Sequence, residues 1–461
     1  MNLPAYREYV DSGIESLGSI PSHWQLKPLK FLTTLNPRKS DYRGDLKESC
    51  SFVPMEKLKL GKIQLDEERP IESVIEGYNY FENGDVLQAK VTPCFENKNI
   101  AIAQNLVNGI GFGSTEINVI RTNEEFDSAY LYYRLQEDNY MNFGAASMIG
   151  AGGLKRVPSE VIDNFRIGVP PVSEQTQIAR FLDYETARID ALIEEQQRLI
   201  ELLKEKRQAV ISHAVTTGLD PEVPMKDSGV EWLGEVPAHW EFTKLGRLAF
   251  MQEGPGLRNW QFADDGVRVI CVTNITSNGI DFDRLEKFIS EEEYNRSYRH
   301  FTVVKGDLLL SSSGNSWGKV AEYSGTEAVI LNTSTIRLNE LVPLRVKRRF
   351  LRWFLESKAC REQLDLAMTG ACQPNFGPTH LNEVTTTIPP VEEQEVISNY
   401  LDKSLSKFDG LIENALEAIE LFQERRSTLI SAAVTGKVDV RNWQPPADNN
   451  RKLAQHEAAH G

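Results

Sequence analysis

The sequence lacks the features of a membrane-embedded or secreted protein. No apolar run approaches the roughly 20 residues that a membrane-spanning helix needs, and the N-terminal MNLPAYREYV has no apolar signal-peptide core. The cysteines are odd in number, widely spaced and without a CxxC pair: Cys50, Cys94, Cys271, Cys360 and Cys372. Neither a disulfide framework nor a zinc site is therefore predicted, and a cytoplasmic protein is expected.

Positive charge is scarce over the whole chain. There are 51 Lys and Arg against 66 Asp and Glu, a formal net charge of −15, which taken alone disfavours nucleic acid as a partner. Local charge matters more, because a groove senses charges within about 8 Å at physiological salt. Residues 341–361 (LVPLRVKRRFLRWFLESKACR) hold seven basic residues, one acidic residue and interleaved aromatics. This pattern is typical of a phosphate-binding surface, or of a helix with a solvated basic face and an apolar core face.

Motifs for enzymatic chemistry are also scarce. Residues 314–320 (GNSWGKV) have the wrong glycine spacing for a phosphate-binding loop and no Ser or Thr after the lysine. They are more typical of a recognition loop, with Asn315 and Lys319 suited to bases and phosphates. Residues 456–460 (HEAAH) match the zinc pattern HExxH, but they lie in a polar tail without a third ligand. We expect no metal there, and a metal-dependent hydrolase is kept only as a third hypothesis.

What the chain does contain is an internal repeat. Residues 170–215 return at a shift of 219 as residues 389–434, with 21 of 46 positions identical and no gap. Residues 11–24 (DSGIESLGSIPSHW) return as residues 227–240 with nine identities in 14 positions. The chain is therefore two tandem copies of one unit, and both halves are expected to do the same kind of work.

Each long repeat predicts a helix of about 40 residues, because apolar residues recur at three- and four-residue steps after a Pro-Pro pair. The first predicted helix stops at Gly218 and the second at Gly436. A helix of this length with one apolar stripe needs a partner. We expect the two copies to pair as an antiparallel coiled coil that relates the halves by a pseudo-two-fold axis. The alternative is that each helix packs only on its own domain.

Two variable regions, residues 27–169 and 244–388, mix short strand-like runs, turns and one or two helical stretches. The predicted fold class is α+β, with two tandem halves that each consist of a mixed α/β domain followed by a long helix. The predicted segments are residues 1–169 and 219–388 for the domains, 170–218 and 389–437 for the helices, and 438–461 for a polar tail. Short similarities such as GDVLQA and GDLLLS indicate one scaffold with changed loops, as recognition of two targets would need.

This combination resembles the specificity (S) subunit of type I restriction-modification enzymes over nearly the whole chain. Three doubled motifs carry the resemblance: (I/V)P-x-HW at residues 23–24 and 239–240, PPV-x-EQ-x-x-I-x-x-(F/Y)LD from Pro170 and Pro389, and IS-x-AVT at both helix ends. One departure is GAGGL at residues 150–154, where the second copy has GACQPN at residues 370–375. The family often has a glutamine in this turn.

The resemblance implies two target recognition domains, each reading one half of a bipartite DNA target, with the helices setting the unread gap. It implies a subunit that is not itself an enzyme and that docks two adenine-methylating modification subunits, joined by restriction subunits. S-adenosylmethionine, ATP and magnesium would belong to those partners, and no cofactor to this chain. Consistently, the methyltransferase motif Asn/Asp-Pro-Pro-aromatic is missing from the sequence. A standalone sequence-specific DNA-binding protein is the alternative, against which the acidic helices argue because acidic faces suit protein docking.

Candidate DNA contacts are polar or basic residues in turn-like settings of the variable regions and in the basic segment. They are Lys90, Thr92, Ser114, Thr115, Glu116, Lys155 and Arg156 in the first domain, and Ser312, Asn315, Lys319, Thr333, Ser334, Arg348, Arg349, Gln373 and Asn375 in the second. For each taken alone, an exposed loop residue without function is the more common case. The two His-Trp pairs are predicted to pack where each domain begins.

Overall fold

A computed structural model describes residues 3–151, 153–230, 233–277, 279–368 and 375–446. These residues form two compact units. Unit 1 holds those up to Gln196 and those from Glu417 onward, and unit 2 lies within Gln197–Leu416. The boundaries between the units fall inside the two long helices rather than at the segment boundaries expected from the sequence. Each long helix therefore begins in one unit and ends in the other.

Unit 1 contains a mixed α/β domain. Its elements are β1 (Tyr9–Asp11), β2 (Ser19–Pro21), β3 (Gln25–Pro28), β4 (Thr33–Leu35), β5 (Ser49–Val53), β6 (Leu58–Lys59), β7 (Lys62–Ile63), β8 (Glu68–Pro70), α1 (Ile71–Val74), β9 (Asn79–Glu82), β10 (Val86–Ala89), β11 (Ile100–Ile102), β12 (Ile110–Gly113), β13 (Ile117–Thr122), α2 (Ser128–Arg134), α3 (Asp138–Ala146), β14 (Ile149–Ala151), β15 (Leu154–Arg156), α4 (Ser159–Asn164) and β16 (Arg166–Val169). Two four-stranded sheets have the orders β11–β10–β13–β4 and β8–β5–β12–β9, and β5 runs parallel to β12.

The first long helix, α5 (Val172–Thr216), leads into the second domain. The elements that follow are β17 (Met225–Asp227), β18 (Glu235–Pro237), β19 (Glu241–Lys244), β20 (Ala249–Glu253), β21 (Val267–Ile270), β22 (Ile275–Thr276), β23 (Gly279–Ile280), β24 (Phe288–Ile289), α6 (Glu291–Glu293), β25 (Thr302–Val303), β26 (Leu308–Ser311), β27 (Val320–Glu322), β28 (Val329–Leu331), β29 (Thr335–Glu340), α7 (Arg348–Glu356), α8 (Lys358–Ala367), α9 (Pro378–Glu383), β30 (Thr385–Ile388) and the second long helix α10 (Val391–Val434). The second domain has two four-stranded sheets, with the orders β27–β26–β29–β20 and β24–β21–β28–β25. These orders repeat those of unit 1, and β21 is parallel to β28 just as β5 is to β12.

The repeated Gly-Asp pair starts an equivalent strand in each domain. Gly84 and Gly306 adopt the left-handed conformation, with φ of 96° and 93°, which glycine reaches without strain. The buried Asp85 and Asp307 then close the turn. Each accepts a hydrogen bond from the backbone N–H three residues upstream, from Glu82 at 2.7 Å and from Val304 at 2.9 Å. β10 and β26 follow, and both are buried along their whole length.

The long helices have 45 and 44 residues and pair antiparallel inside each unit. In unit 1 the start of α5 and the end of α10 share one core, which includes Phe181, Leu182 and Val434. In unit 2 the end of α5 and the start of α10 share another, which includes Ile211 and Leu401. Each helix start also packs on its own domain. The pairing expected from the sequence is therefore confirmed, and the alternative that each helix packs only on its own domain is wrong.

The repeated Glu-Gln pair explains how each helix start is fixed. The fully buried Gln175 accepts from the N–H of Asp127, the N-cap of α2, and donates to Pro170 O at 2.8 Å. Gln394 makes the same contacts at α7, with Lys347 N–H and Pro389 O. The amide therefore joins helix, domain and preceding strand in both copies.

The neighbouring glutamates hold the His-Trp pairs. Glu174 accepts from Trp24 Nε1 at 3.0 Å, and its other oxygen lies 2.8 Å from His23 Nε2. Glu393 repeats this with Trp240 Nε1 at 3.2 Å and His239 Nε2 at 2.8 Å. Both indole rings are buried.

The fold class is α+β, with two recognition-domain-like folds and two long paired helices, as the sequence predicts. Within the described ranges, no helix combines the length and apolar character needed to cross a membrane.

Candidate nucleic-acid interface

Three segments of unit 1 meet beyond the end of β10 and bring most first-domain candidates together. The N–H of Lys90 donates to Glu116 O at 3.0 Å, and the N–H of Val157 donates to Lys90 O at 2.9 Å. Val91 forms an isolated antiparallel bridge with Arg156. We call the surface formed by Lys90, Thr92, Glu116, Lys155 and Arg156 surface A.

Thr92 fastens the β14–β15 hairpin to this surface. Its hydroxyl donates to Gly153 O at 2.8 Å and accepts from the N–H of Lys155 at 2.9 Å. The hairpin is narrow, because a Cβ at Gly150 would lie 2.2 Å from Leu154 O. The described residues on either side of Gly152, in the sequence that departs from the family pattern, thus form a close two-stranded ribbon.

Arg156 and Glu116 form a bidentate pair on surface A. Arg156 Nε and Nη2 donate to the two Glu116 oxygens at 2.8 and 2.6 Å, and this pairing lowers the pKa of the Glu116 carboxyl below its usual value. The pair uses two of the five guanidinium N–H donors. Glu116 therefore orients the planar guanidinium of Arg156. The remaining N–H donors of this guanidinium belong to a side chain that is 44% exposed.

The hairpin is exposed on both strands. Ile149 is 72% exposed and Leu154 is 48% exposed, and Lys155 is also exposed. Large apolar residues on a small projecting ribbon indicate a contact surface. A two-stranded ribbon has dimensions that the DNA major groove admits.

Unit 2 builds the same frame with other side chains. The N–H of Ser312 donates to Ser334 O at 2.9 Å, and the N–H of Phe376 donates to Ser312 O at 3.2 Å. Ser313 forms an isolated antiparallel bridge with Asn375. Ser312, Ser334 and Asn375 thus occupy the places of Lys90, Glu116 and Arg156, and we call them, with the exposed Thr333, surface B.

The remaining candidates lie in varied settings. Ser114 Oγ accepts from the N–H of Glu116, and Thr115 beside it is exposed. The Ser312 hydroxyl is fully buried and has no hydrogen-bond partner among the described residues. Lys319 is half-buried, and its N–H donates to Ser316 O. Gln373 and the side chain of Asn315 lie outside the described residues.

The basic segment forms α7 and its flanks. The apolar side of α7 is buried, and its bases pair with acids. Arg348 donates from Nε and Nη2 to Glu340 at 3.0 Å each, and Arg349 contacts Asn399 and Asp402. The segment therefore has the second arrangement considered from the sequence, a helix with a core face and an ion-paired outer face.

Sequence reasoning missed the loop after β20. Trp260 is 80% exposed in this loop, on a turn fixed by the Arg258 N–H bond to Gln261 Oε1 at 2.9 Å. The loop starts beside surface B, since Glu253 Oε1 accepts from the N–H of Ser334 at 3.2 Å. The available signal was an arginine and an aromatic after a Gly-Pro-Gly turn, but exposure is not readable from sequence.

No group of three His, Cys, Asp or Glu residues suited to a metal occurs in the part of the chain that the structure describes. The HExxH match at residues 456–460 lies outside that part.

The profile of the family described as "Type I restriction modification DNA specificity domain" matches residues 76–203 and 237–421. This chain belongs to that family. The match confirms the type I specificity resemblance predicted from the doubled motifs. One matched segment contains surface A and the other contains surface B.

Curated relatives and a solved structure agree. The chain is 34% identical over 492 residues to the type I restriction enzyme EcoAI specificity subunit of Escherichia coli, covering 90% of this chain and 82% of that one. It is 23% identical over 413 residues to the MjaVIII specificity subunit of Methanocaldococcus jannaschii, covering 85% and 92%. A solved chain, described as concerning complex assembly and conformational transition of the type I R-M system, has a TM-score of 0.70 at 18% identity, covering 90% and 98%. This last similarity shows a shared fold.

Proposed function

We propose that this specificity subunit reads a bipartite DNA target, with one recognition domain on each half-site. The observation that carries the proposal is that surfaces A and B share one main-chain frame but carry different side chains. Side chains that contact base edges supply sequence specificity, whereas contacts to the DNA phosphates fix the position of the protein on the duplex. An oriented arginine on one surface and an asparagine on the other suit different bases, since Arg pairs bidentately with guanine and Asn with adenine.

The two long helices set the unread gap and dock two modification subunits. At about 1.5 Å per residue each helix is about 65 Å long, enough to hold two readers of one duplex face at least one helical turn, roughly 34 Å, apart. Helices this long also offer continuous outer faces for partner chains.

The chain contributes recognition and no catalytic group to the complex. S-adenosylmethionine, ATP and magnesium bind the modification and restriction subunits, in keeping with the missing methyltransferase and phosphate-binding motifs of this sequence. The complex acts in the cytoplasm, on cellular and incoming DNA.

Methylation-site sequencing of DNA from cells that carry this subunit with its partners tests the proposal. The expected result is methyladenine in two short defined sequences separated by a fixed undefined gap. A single uninterrupted motif would contradict the bipartite reading. Tight, sequence-specific binding by the chain alone in a gel-shift assay would instead favour the standalone DNA-binding alternative.

A further inference from the structure

In unit 1, the segment after α10 covers the start of α5. The ring of Trp443 packs edge-on against Phe181 at 5.2 Å and tilted against Tyr184 at 5.4 Å between centroids. Gln177 Nε2 donates to Val440 O at 3.1 Å and to Trp443 O at 2.6 Å. As a result Phe181 and Val440 are fully buried.

The equivalent helix face in unit 2 is uncovered among the described residues. The repeat shift of 219 places Tyr400 at the position of Phe181 and Val396 at that of Gln177. Tyr400 is 45% exposed and Val396 is 58% exposed. Tyr400 borders a groove of about 440 Å³, which we call the Tyr400 groove. Its other wall consists of the end of α5, including Val210, and of residues just after the helix, including Leu219.

The reason for the difference lies in how the chain passes each helix end. After α10 the chain lays Val440 and Trp443 across the start of α5. After α5 the chain must lead into β17, and the shift of 219 puts Pro224 where unit 1 has Trp443. The segment at residues 219–224 (LDPEVP) carries no aromatic residue.

We propose that the Tyr400 groove seats a segment of a modification subunit that carries an aromatic side chain three residues after an apolar one. The spacing is that of Val440 and Trp443, which fill the corresponding place in unit 1. The proposal rests on the proposed function, because it names where one of the partner subunits docks. Aromatic residues that enter a pocket commonly dominate an interface, and the groove has the size of established binding pockets, about 300–1,000 Å³.

The bound segment is acidic. Lys206 and His213 line the groove, and Lys403 stands where unit 1 has Tyr184. Acidic residues beside the aromatic anchor complement these bases and steer the segment to the groove.

The two docking positions are therefore unequal. The face in unit 1 is covered by the chain itself, whereas the face in unit 2 offers an additional contact. Two modification subunits accordingly bind this chain with different affinities, and the tighter one depends on Tyr400.

A labelled peptide provides the first test on the intact chain. It has the sequence of residues 437–446 with Lys437→Glu and Arg441→Glu, and the matched control peptide also carries Trp443→Ala. We expect one peptide to bind per chain, and the control peptide to bind about tenfold or more weakly, the range in which interface aromatics act. Absence of binding, or equal binding of both peptides, would overturn the proposal.

Variants of the chain locate the site. Ala209 is an exposed residue on the groove wall, so Ala209→Arg fills the groove without disturbing the core, and Ala191→Arg places the same side chain at an exposed position of α5 in unit 1. Ala209→Arg should abolish peptide binding and weaken one of the two modification-subunit binding steps at least tenfold, while Ala191→Arg changes neither. Peptide binding that survives Ala209→Arg places the peptide elsewhere and rejects the groove.

Two further outcomes would also reject the proposal. If Ala209→Arg abolishes peptide binding but leaves both modification-subunit steps unchanged, the partner is wrong. If it instead abolishes self-association of the chain in sedimentation, the occupant is a second copy. In either case an unchanged bipartite methylation motif leaves the proposed function standing. Loss of the bipartite motif together with failure of the groove test would reject the proposed function as well.

Discussion

Arg134 and Glu137 form an ion pair that is almost completely buried in unit 1. Nη1 of the arginine lies 2.7 Å from Oε1 of the glutamate, and the side chains are 1% and 0% exposed. Aligning YLYYRLQE with FLRWFLES puts Phe354 and Ser357 at these positions of the second domain, and both are buried there too. The same scaffold therefore folds around an ion pair in one copy and around neutral side chains in the other.

Replacing the whole pair with its counterparts should be tolerated, whereas breaking it should not. The double variant Arg134→Phe with Glu137→Ser is expected to be as stable as the parent or more stable, because burying two charges costs roughly what their attraction returns. Arg134→Phe alone leaves an unpaired buried carboxylate and should cost about 3–5 kcal/mol. Urea unfolding measures both, and equal stability of the single and double variants would contradict the prediction.

The paired side chains of surface A should determine the first half-site. Glu116→Ser with Arg156→Asn gives surface A the side chains of surface B at these two positions. The variant should change the bases preferred in one half-site, with a change in discrimination of about 1–3 kcal/mol per position. The other half-site and the gap should stay the same. Methylation-site sequencing reads all three, and the reverse exchange Ser334→Glu with Asn375→Arg should affect only the opposite half-site. An unchanged motif in both variants would show that these residues do not read bases.

The two His-Trp glutamates should differ in their effect on stability. Glu174 is 6% exposed and also accepts from the Tyr6 hydroxyl at 2.7 Å, whereas the side chain of Glu393 is 30% exposed. Burial, and then the bond to Glu174, raises the pKa of the Tyr6 phenol. Glu174→Ala strands buried donors and should cost about 1–3 kcal/mol per stranded group, and Glu393→Ala should cost less. Thermal unfolding gives the comparison, and equal losses would count against it.

The helices should act as a ruler. Removing one heptad from both α5 and α10 at paired positions shortens each by about 10 Å, and should shorten the tolerated gap while both half-sites stay the same. Methylation-site sequencing gives the result. Altered half-sites with an unchanged gap would exclude the ruler.

Burial should protect two thiols until the pH is high. Burial raises the pKa of Cys50 to about 11 and that of Cys360 to about 12. At pH 8 iodoacetamide should therefore modify the half-buried Cys94 before the buried Cys50 and Cys360, as peptide mass spectrometry would show. Because both values are raised, the folded state holds these protons more tightly than the unfolded chain. The stability this contributes is present below the ordinary thiol pKa, about 8.5, and is lost as pH rises through 11 and 12. Faster modification of Cys360 than of Cys94 at pH 8 would contradict the prediction.

The helices and the doubling were predictable, because local periodicity and an ungapped repeat record them directly. Gly218 and Gly436 end the repeated helical segments with φ of 79° and 76°, as a left-handed cap requires. The bridge between Val91 and Arg156, which are 65 positions apart, was not predictable, since it depends on strand register. Nor was the partner of Arg349, because Asp402 lies 53 residues away on another helix. Sequence shows that residues are charged, but their neutralisation is a property of the folded chain.

The frame that joins Lys90 to Glu116, and Ser312 to Ser334, is made of peptide N–H and C=O groups, which every substitution except proline retains. In the proposed function, stability therefore depends on main-chain atoms and sequence specificity on side-chain atoms of the same residues. A population of such chains can vary the partly accessible side chains at Lys90, Glu116 and Ser334 while remaining folded, whereas the fully buried Ser312 admits only a small side chain. Under the proposed function, new targets would then become accessible by single substitutions that leave this main-chain frame in place.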